Sequence, residues 1–317
     1  MRCLFITSFG QEGHGHVTRC IAMSQAFDKF RIKNSFLLNK KNKFINQNKI
    51  IGKFNWYKYE KKTLELIKNF DFVILDSIKI KKKYLISIKN STQLIYINDY
   101  HRWVVNGAFH VDWTLFAKKN VNKHEIVDHK YASLRKTFWK TKKKIIKKKI
   151  GNIFIFFGGS DIRKFSIKIA KLINKYNNNY KINLISTQKI NLKNVSCYKF
   201  VDEKKMKNLL SKADIVITSG GQTLYEIASL GVPGIVISET IYDTEDAIAW
   251  KNRGSIIYAG KWSSKNIEKK ILKSIIKIED KNIRLKLSKN GQKTIDGKGG
   301  IRLVKKILQN VRKNFQK

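Results

Sequence analysis

A chain of 317 residues with 42% hydrophobic and 11% aromatic content can bury a core in each of two domains, which argues against a largely disordered protein. The formal net charge of +43 attracts polyanions of any kind, yet lysine, asparagine and isoleucine are abundant throughout and Pro233 is the single proline, a uniform bias typical of an A+T-rich coding sequence. With no helix-turn-helix, zinc-finger or RNA-binding signature, no specific nucleic-acid partner is expected. No apolar run approaches the ~18 residues that cross a bilayer and residues 1–6 lead straight into a strand, so the expectation is a cytoplasmic chain with no transmembrane segment and no signal peptide. Cys3, Cys20 and Cys197 are scattered, which fits buried small hydrophobes better than a disulfide framework or a metal site.

In chain order, residues 3–7 read as a strand, 17–30 as a helix, and 72–76 and 94–97 as strands. Apolar runs without polar alternation suit strands covered on both faces, as in a parallel sheet between helices, so the fold class is α/β. The charge run KTKKKIIKKK at residues 140–149 is the densest in the chain and a fresh strand, 153–157, follows at once. Read as a solvated linker, it divides the chain into domains 1–148 and 149–317. The second half continues with strands at 180–186 and 213–217, a helix from about Leu224 closed by Gly231, and a strand at 235–238. Strand, glycine turn and helix in repetition is the doubly wound pattern, so two Rossmann-like domains are expected, with ligands held beyond the C-terminal strand ends, in the cleft between the domains.

Three loops carry candidate chemistry. Gly13, His14, Gly15, His16 and Arg19 stand between the first strand and its helix, where glycines let backbone approach a ligand and free N–H groups attract negative charge. The third glycine of the dinucleotide fingerprint is missing. A helix start and Arg19 one turn on both disfavour imidazolium, so His16 is expected to be neutral and able to act as a base, or else simply to cap its helix; His14 is read as structural. Ser219, Gly220, Gly221, Gln222, Thr223 and Glu226 form a second such loop, with Glu226 a candidate for a ribose diol or for pairing with the helix dipole. Gly158, Gly159 and Ser160 form the third, with Asp161 as N-cap of the following helix. Asp76 and Asp99 close strand regions, within reach of the cleft or as caps.

Together these residues resemble the family of UDP-sugar hydrolases of pseudaminic-acid biosynthesis and their spore-coat polysaccharide relatives, which share the glycosyltransferase-B fold. The resemblance spans nearly the whole chain: the Gly13-x-Gly15-His16-x-x-Arg19 loop, the Tyr131-Ala132-x-Leu134-Arg135-x-x-Phe138 segment, the Gly158 and Gly220 loops, and the late Asp296-Gly297-Lys298-Gly299-Gly300-Ile301-Arg302 segment follow in family order. It implies hydrolysis of UDP-2,4-diacetamido-2,4,6-trideoxy-β-L-altropyranose to UDP and free sugar, His16 activating a water that attacks the anomeric carbon with inversion, and no metal or other cofactor. It also implies that Gly13, Gly15, Arg19 and the residues of the two later loops bind the substrate.

Two places depart from the family. Ile78 stands where a tyrosine is expected, and Tyr242-Asp243-Thr244-Glu245-Asp246 replaces the usual Asn-Gln segment; both would touch the sugar. A glycosyltransferase of the same fold, similar to the enzyme that adds N-acetylglucosamine to a lipid-linked peptidoglycan precursor, therefore stays open as the alternative. So does a noncatalytic polyanion- or nucleotide-binding protein, and the oligomeric state is left open.

Overall fold

The computed structural model of the chain describes residues 1–10, 14–40, 42, 44–117, 124–158, 161 and 163–315. It divides into two compact units, Met1–Lys136 with Lys298–Lys317, and Thr137–Gly297.

In the first unit, β1 (Arg2–Thr7) leads into α1 (Gly15–Lys29), followed by β2 (Lys33–Leu38), β3 (Ile50–Lys53), α2 (Glu60–Ile67), β4 (Phe72–Asp76), α3 (Lys82–Ser91), β5 (Gln93–Ile97), β6 (Phe109–Asp112) and β7 (Glu125–Val127). Among the described residues these strands make one seven-stranded sheet in the order β3-β2-β1-β4-β5-β6-β7, every pairing parallel. The central strands are apolar on both faces because helices cover both, which is why CLFI and FVIL show no alternation. Trp56 fixes the entry to α2 from inside this core, donating from Nε1 to the Thr7 carbonyl at 3.0 Å.

In the second unit, β8 (Asn152–Phe156), α4 (Phe165–Tyr176), β9 (Lys181–Ile185), β10 (Val195–Tyr198), α5 (Glu203–Lys212), β11 (Ile215–Thr218), α6 (Gln222–Leu230), β12 (Gly234–Ser238), α7 (Ile241–Asn252), β13 (Ile256–Lys261), α8 (Ile267–Glu279) and α9 (Lys281–Thr294) follow in turn. The sheet order is β10-β9-β8-β11-β12-β13, again parallel throughout. Gly231 ends α6 at a φ of +68°, a left-handed turn that costs glycine nothing.

Two boundaries differ from the sequence reading. The units part between Lys136 and Thr137, ahead of the charge run; the run is largely exposed, as expected, but it is stapled to the second unit and does not link the two. Lys144 donates to the carbonyls of Ser211 and Ala213 at the C-terminal end of α5, where a cation suits the helix dipole. Lys147 pairs with Asp214 at 3.0 Å, and the buried Arg284 donates to the carbonyls of Lys147 and Lys148. The last helix, α10 (Gly299–Phe315), belongs to the first unit, although the sequence reading placed it in domain 149–317. Its Leu303, Val304, Ile307, Leu308 and Val311 form one buried stripe, and the helix packs against α1.

In both sheets the order in which strands are added reverses at one place, between β1 and β4 in the first unit and between β8 and β11 in the second. Crevices at such switch points are where open α/β sheets bind ligands.

Candidate functional site

The first switch point carries a charge network. β1 and β4 run in register, Thr7 beside Asp76, so the Asp76 carboxylate emerges where α1 begins. His16 is the second residue of α1, and its Nδ1 lies 2.6 Å from Asp76 Oδ1. Arg19, one turn on, donates Nε to Asp76 Oδ2 and Nη2 to Asp76 Oδ1 at 2.7 Å, and Nη1 to Asp99 Oδ2. Arg102 closes the series by pairing with Asp99 Oδ1, and the Arg19 guanidinium lies 5.7 Å from the centroid of the Trp113 ring. Two carboxylates thus face two guanidiniums in a region that is almost wholly buried, a balanced arrangement that leaves no net charge for the imidazole to neutralise.

The network sets both the protonation and the tautomer of His16. Burial lowers its pKa below the usual 6.5; Asp76 opposes this, and Arg19 and Arg102 add to it. Burial by itself would raise the Asp76 carboxyl, but Arg19 and then His16 hold it far below the carboxylate range. His16 Nδ1 faces Asp76 Oδ1 at 2.6 Å, which can only accept, and Arg19 Nη2 at 3.0 Å, which can only donate; the shorter contact, to the carboxylate, favours the ring proton on Nδ1 and the lone pair on Nε2. A neutral imidazole with a fixed Nε2 acceptor can take a proton from water or a hydroxyl. The sequence pointed to a neutral ring through the helix start and Arg19; here burial is the largest cause.

The other members of the first loop divide. Gly13 lies outside the described residues. A Cβ on Gly15 would meet no described residue within 4 Å. His14 stacks on Phe9 at 5.4 Å and meets Phe44 edge-on, in keeping with its structural reading.

At the second switch point, Gly158 has a φ of +71° and open space where a Cβ would stand, while Gly159 and Ser160 lie outside the described residues. The N-cap of α4 is Lys164, not Asp161 as the sequence suggested; Asp161, three residues earlier, reaches forward to accept from the amides of Phe165 and Ser166, the first two of the helix. Across the switch, Ser219 and Gly220 lead into Gly221, the N-cap of α6, at a φ of +81°. The first turn of α6 has no acidic residue, and the amides of Gln222 and Thr223 are donors that no helical carbonyl can reach. Such an end suits an anion, and the Asp246 carboxylate already takes the Gly221 amide there. Glu226 is only 2% exposed, on a helix whose residues 223–230 are all buried, and it already interacts within the molecule.

The segment that departs from the family underlies this loop. Thr240 and Asp243 form a reciprocal capping box that starts α7. Asp243 packs so closely under Gly220 that a Cβ there would sit 2.8 Å from its Oδ1, and Asp246 accepts from the Gly221 amide at 2.9 Å. The two aspartates shape the turn between β11 and α6.

The late glycines are structural. Within the first unit, Cβ atoms on Gly299 and Gly300 would lie 2.2 Å from the Ala132 carbonyl oxygen and 2.6 Å from Ser133 Oγ, and Arg302 donates to the Lys130 carbonyl. Within the second, Gly297 lies as close to the Phe138 carbonyl. The two segments recognised in the sequence, 131–138 and 296–302, therefore belong together as backbone packed on backbone. Asp76, Asp99, Arg102 and Trp113 are the members of the first site that the sequence reading did not include among its binding residues; the one signal for Asp76 was an aspartate ending an otherwise apolar run.

Comparison with known proteins follows the same lines. Over 271 residues the chain is 26% identical to an uncharacterized protein of Methanocaldococcus jannaschii, covering 75% of this chain and 55% of that protein. It is 24% identical over 327 residues to the spore coat polysaccharide biosynthesis protein SpsG of Bacillus subtilis, covering 95% of each. It is 26% identical over 242 residues to the pseudaminic acid cytidylyltransferase and UDP-2,4-diacetamido-2,4,6-trideoxy-β-L-altropyranose hydrolase of Helicobacter pylori, covering 74% of this chain and 42% of that protein. The chain thus spans about half the length of the first and third of these relatives. Among solved structures it is similar to Acinetobacter baumannii MurG, with a TM-score of 0.67 at 12% identity over 98% of this chain and 100% of that one. The UDP-GlcNAc 2-epimerase of Neisseria meningitidis gives 0.59 at 13% over 98% and 100%. Both likenesses concern the fold, two Rossmann-like parallel-sheet domains of the glycosyltransferase-B type. Residues 132–293, just over half of the chain, match the glycosyltransferase family 28 C-terminal domain, and the chain belongs to that family.

Proposed function

We propose that this protein hydrolyses a UDP-linked 2,4-diacetamido-2,4,6-trideoxyhexose to UDP and the free sugar, as a cytoplasmic step in making a nonulosonic acid of the pseudaminic type. The coarser part, an enzyme of the glycosyltransferase-B fold that handles nucleotide sugars, rests on the family and the relatives. The finer part is carried by one observation, the neutral His16 held by Asp76 at 2.6 Å with Nε2 left as a base. Its similarity to the H. pylori hydrolase supports water as the acceptor.

In this reading His16 Nε2 takes a proton from water as the water oxygen bonds to the anomeric carbon. The bond from that carbon to the diphosphate oxygen breaks on the opposite face, and the electron pair leaves with UDP. Arg19 holds Asp76 ionised, and the open space at Gly15, together with Gly13 by the family resemblance, lets backbone come close to the leaving group. In the second unit Gly158, Gly159 and Ser160 with Ser219, Gly220, Gly221, Gln222 and Thr223 hold the diphosphate, and Glu226 the ribose. With Glu226 buried, ribose binding requires an adjustment of α6 or of the side chain.

Incubating the purified protein with the UDP-linked sugar and following UDP and reducing sugar by NMR tests the proposal. Both products should appear together in equal amounts, and His16→Ala should slow them roughly 10²- to 10⁴-fold. Consumption only when an acceptor sugar or lipid is added would sink hydrolysis and establish the second reading, a transferase, which the altered residues 242–246 favour. The pH profile is a separate prediction. Because the base must be neutral and its pKa lies below that of a free imidazole, kcat/KM should fall on acidification along a limb centred below pH 6.5 and be level at neutral pH. Gly15→Ala should leave the melting temperature within about 2 °C, since alanine favours a helix and meets no described neighbour, and yet raise KM severalfold.

A further inference from the structure

The turn after β5 carries two members of the His16 network, Asp99 and Arg102. It is tied together by two buried polar residues that the proposed reaction does not use, Asn98 and His110. Asn98 follows β5, and His110 stands on the neighbouring β6, beside Tyr96 in the parallel register. The Asn98 carboxamide oxygen accepts from the Trp103 amide at 3.1 Å, which leaves its Nδ2 to meet His110 Nδ1 at 3.3 Å. At the other nitrogen, His110 Nε2 lies 3.0 Å from the Val105 carbonyl, which can only accept, and 3.3 Å from the Val105 amide, which can only donate. The shorter of these contacts and the donor at Nδ1 agree: Nδ1 accepts, and Nε2 carries the ring proton and donates to Val105. One imidazole thus joins both ends of the 98–105 turn.

Between those ends the backbone is not relaxed. Tyr100 has a φ of +64°, a left-handed conformation that a residue with a side chain keeps only where its surroundings impose it. On either side of it, Asp99 and Arg102 fold onto each other: Arg102 donates Nε to the Asp99 carbonyl at 3.1 Å and pairs with Asp99 Oδ1. Asp99 Oδ2 receives Arg19 Nη1, and Arg19 holds Asp76, the partner of His16. We propose that His110 and Asn98 are positioning residues of the His16 site, holding the 98–105 turn so that Asp99 and Arg102 keep Arg19 on Asp76 and His16 in its orientation. The inference rests on the reading of His16 as the base and extends it to residues that act only through others.

Loss of this tie has a predictable direction. The charged groups that act on His16 are Asp76 from β4, Arg19 from its own helix and Arg102 from the turn; burial and Arg102 both lower its pKa. A slack turn withdraws Arg102 and admits water, so both changes move the imidazole up towards its ordinary value of 6.5.

The test follows His16 in the full chain by NMR titration of histidine labelled with carbon-13 at Cε1, its resonance being the one missing from His16→Ala. The acidic limb of kcat/KM with the UDP-linked sugar is the second readout. His110→Phe keeps a ring edge-on to Tyr96 but makes neither hydrogen bond, and Asn98→Leu removes the link from the other side. Both should move the His16 titration and the limb to higher pH and lower kcat roughly tenfold or more, with KM within about threefold. His110→Gln, whose amide can both accept and donate, should lie nearer the wild type in each readout. Ile67→Ala opens a cavity under α2 in the same core, away from the turn, and should lower the melting temperature without moving His16. An unmoved His16 titration in His110→Phe and Asn98→Leu, or an equal move in Ile67→Ala, would overturn the proposal. A wild type that releases no sugar would remove the proposed function instead, and the titration would still decide on the tie.

Discussion

Asp76→Asn should lower kcat about a thousandfold or more while leaving substrate affinity within a few-fold. An asparagine can present its amide to His16 Nδ1; the ring then shifts its proton to Nε2, the atom that must accept one from water. The substitution also leaves Asp99 alone between Arg19 and Arg102, a buried positive charge in excess that costs roughly 3 kcal/mol. The pH dependence separates this from a general loss of packing. The folded carboxyl titrates far below its unfolded value of about 3.9, so its contribution is fully present above that pH and fades as the pH falls towards the folded pKa. The melting temperatures of wild type and variant should therefore lie furthest apart near neutrality and approach each other in acid. Activity retained in Asp76→Asn would show that His16 needs no orienting partner.

Gly299→Ala should have the largest effect on stability. Its Cβ would fall 2.2 Å from the Ala132 carbonyl oxygen and 2.7 Å from the Ala132 nitrogen, and neither can swing aside as a side-chain tip can. Either the start of α10 or the 131–134 turn must move, for roughly 3 kcal/mol or more. Calorimetry should show the transition of the first unit moved to lower temperature and that of the second unchanged. Equal shifts in both would mean that the units melt as one.

The contrast between Gly299 and Gly15 also shows where sequence reading stops. Both sit in motifs recognisable by their residues, yet one glycine is demanded by backbone more than 160 positions away and the other by none of the described residues. The central strands were legible because burial on both faces writes an uninterrupted apolar run, as in FVIL before Asp76. The partnership of Asp76 with His16 was not, since it depends on the register of β1 with β4 across 60 residues and a lone aspartate at a strand end also reads as a cap. Glu226 was placed correctly near the start of a helix, but its burial follows from packing around α6, where residues 223–230 are all buried. The lysine run misled only as a boundary: its side chains are largely exposed as composition suggests, but Lys144 and Lys147 fasten it to a helix end and to Asp214 within the second unit.

The first unit is built from two stretches of chain, Met1–Lys136 and the helix α10. During synthesis its sheet is complete by residue 127, but the helix that covers α1 emerges only after every residue of the second unit. The usual order, in which the N-terminal domain folds first on the ribosome, is thereby reversed: the continuous second unit can finish while the first still waits with an apolar face uncovered. For that interval the nascent chain exposes surface that a chaperone can bind, and a ribosome stalled before residue 298 would leave a first unit unable to close.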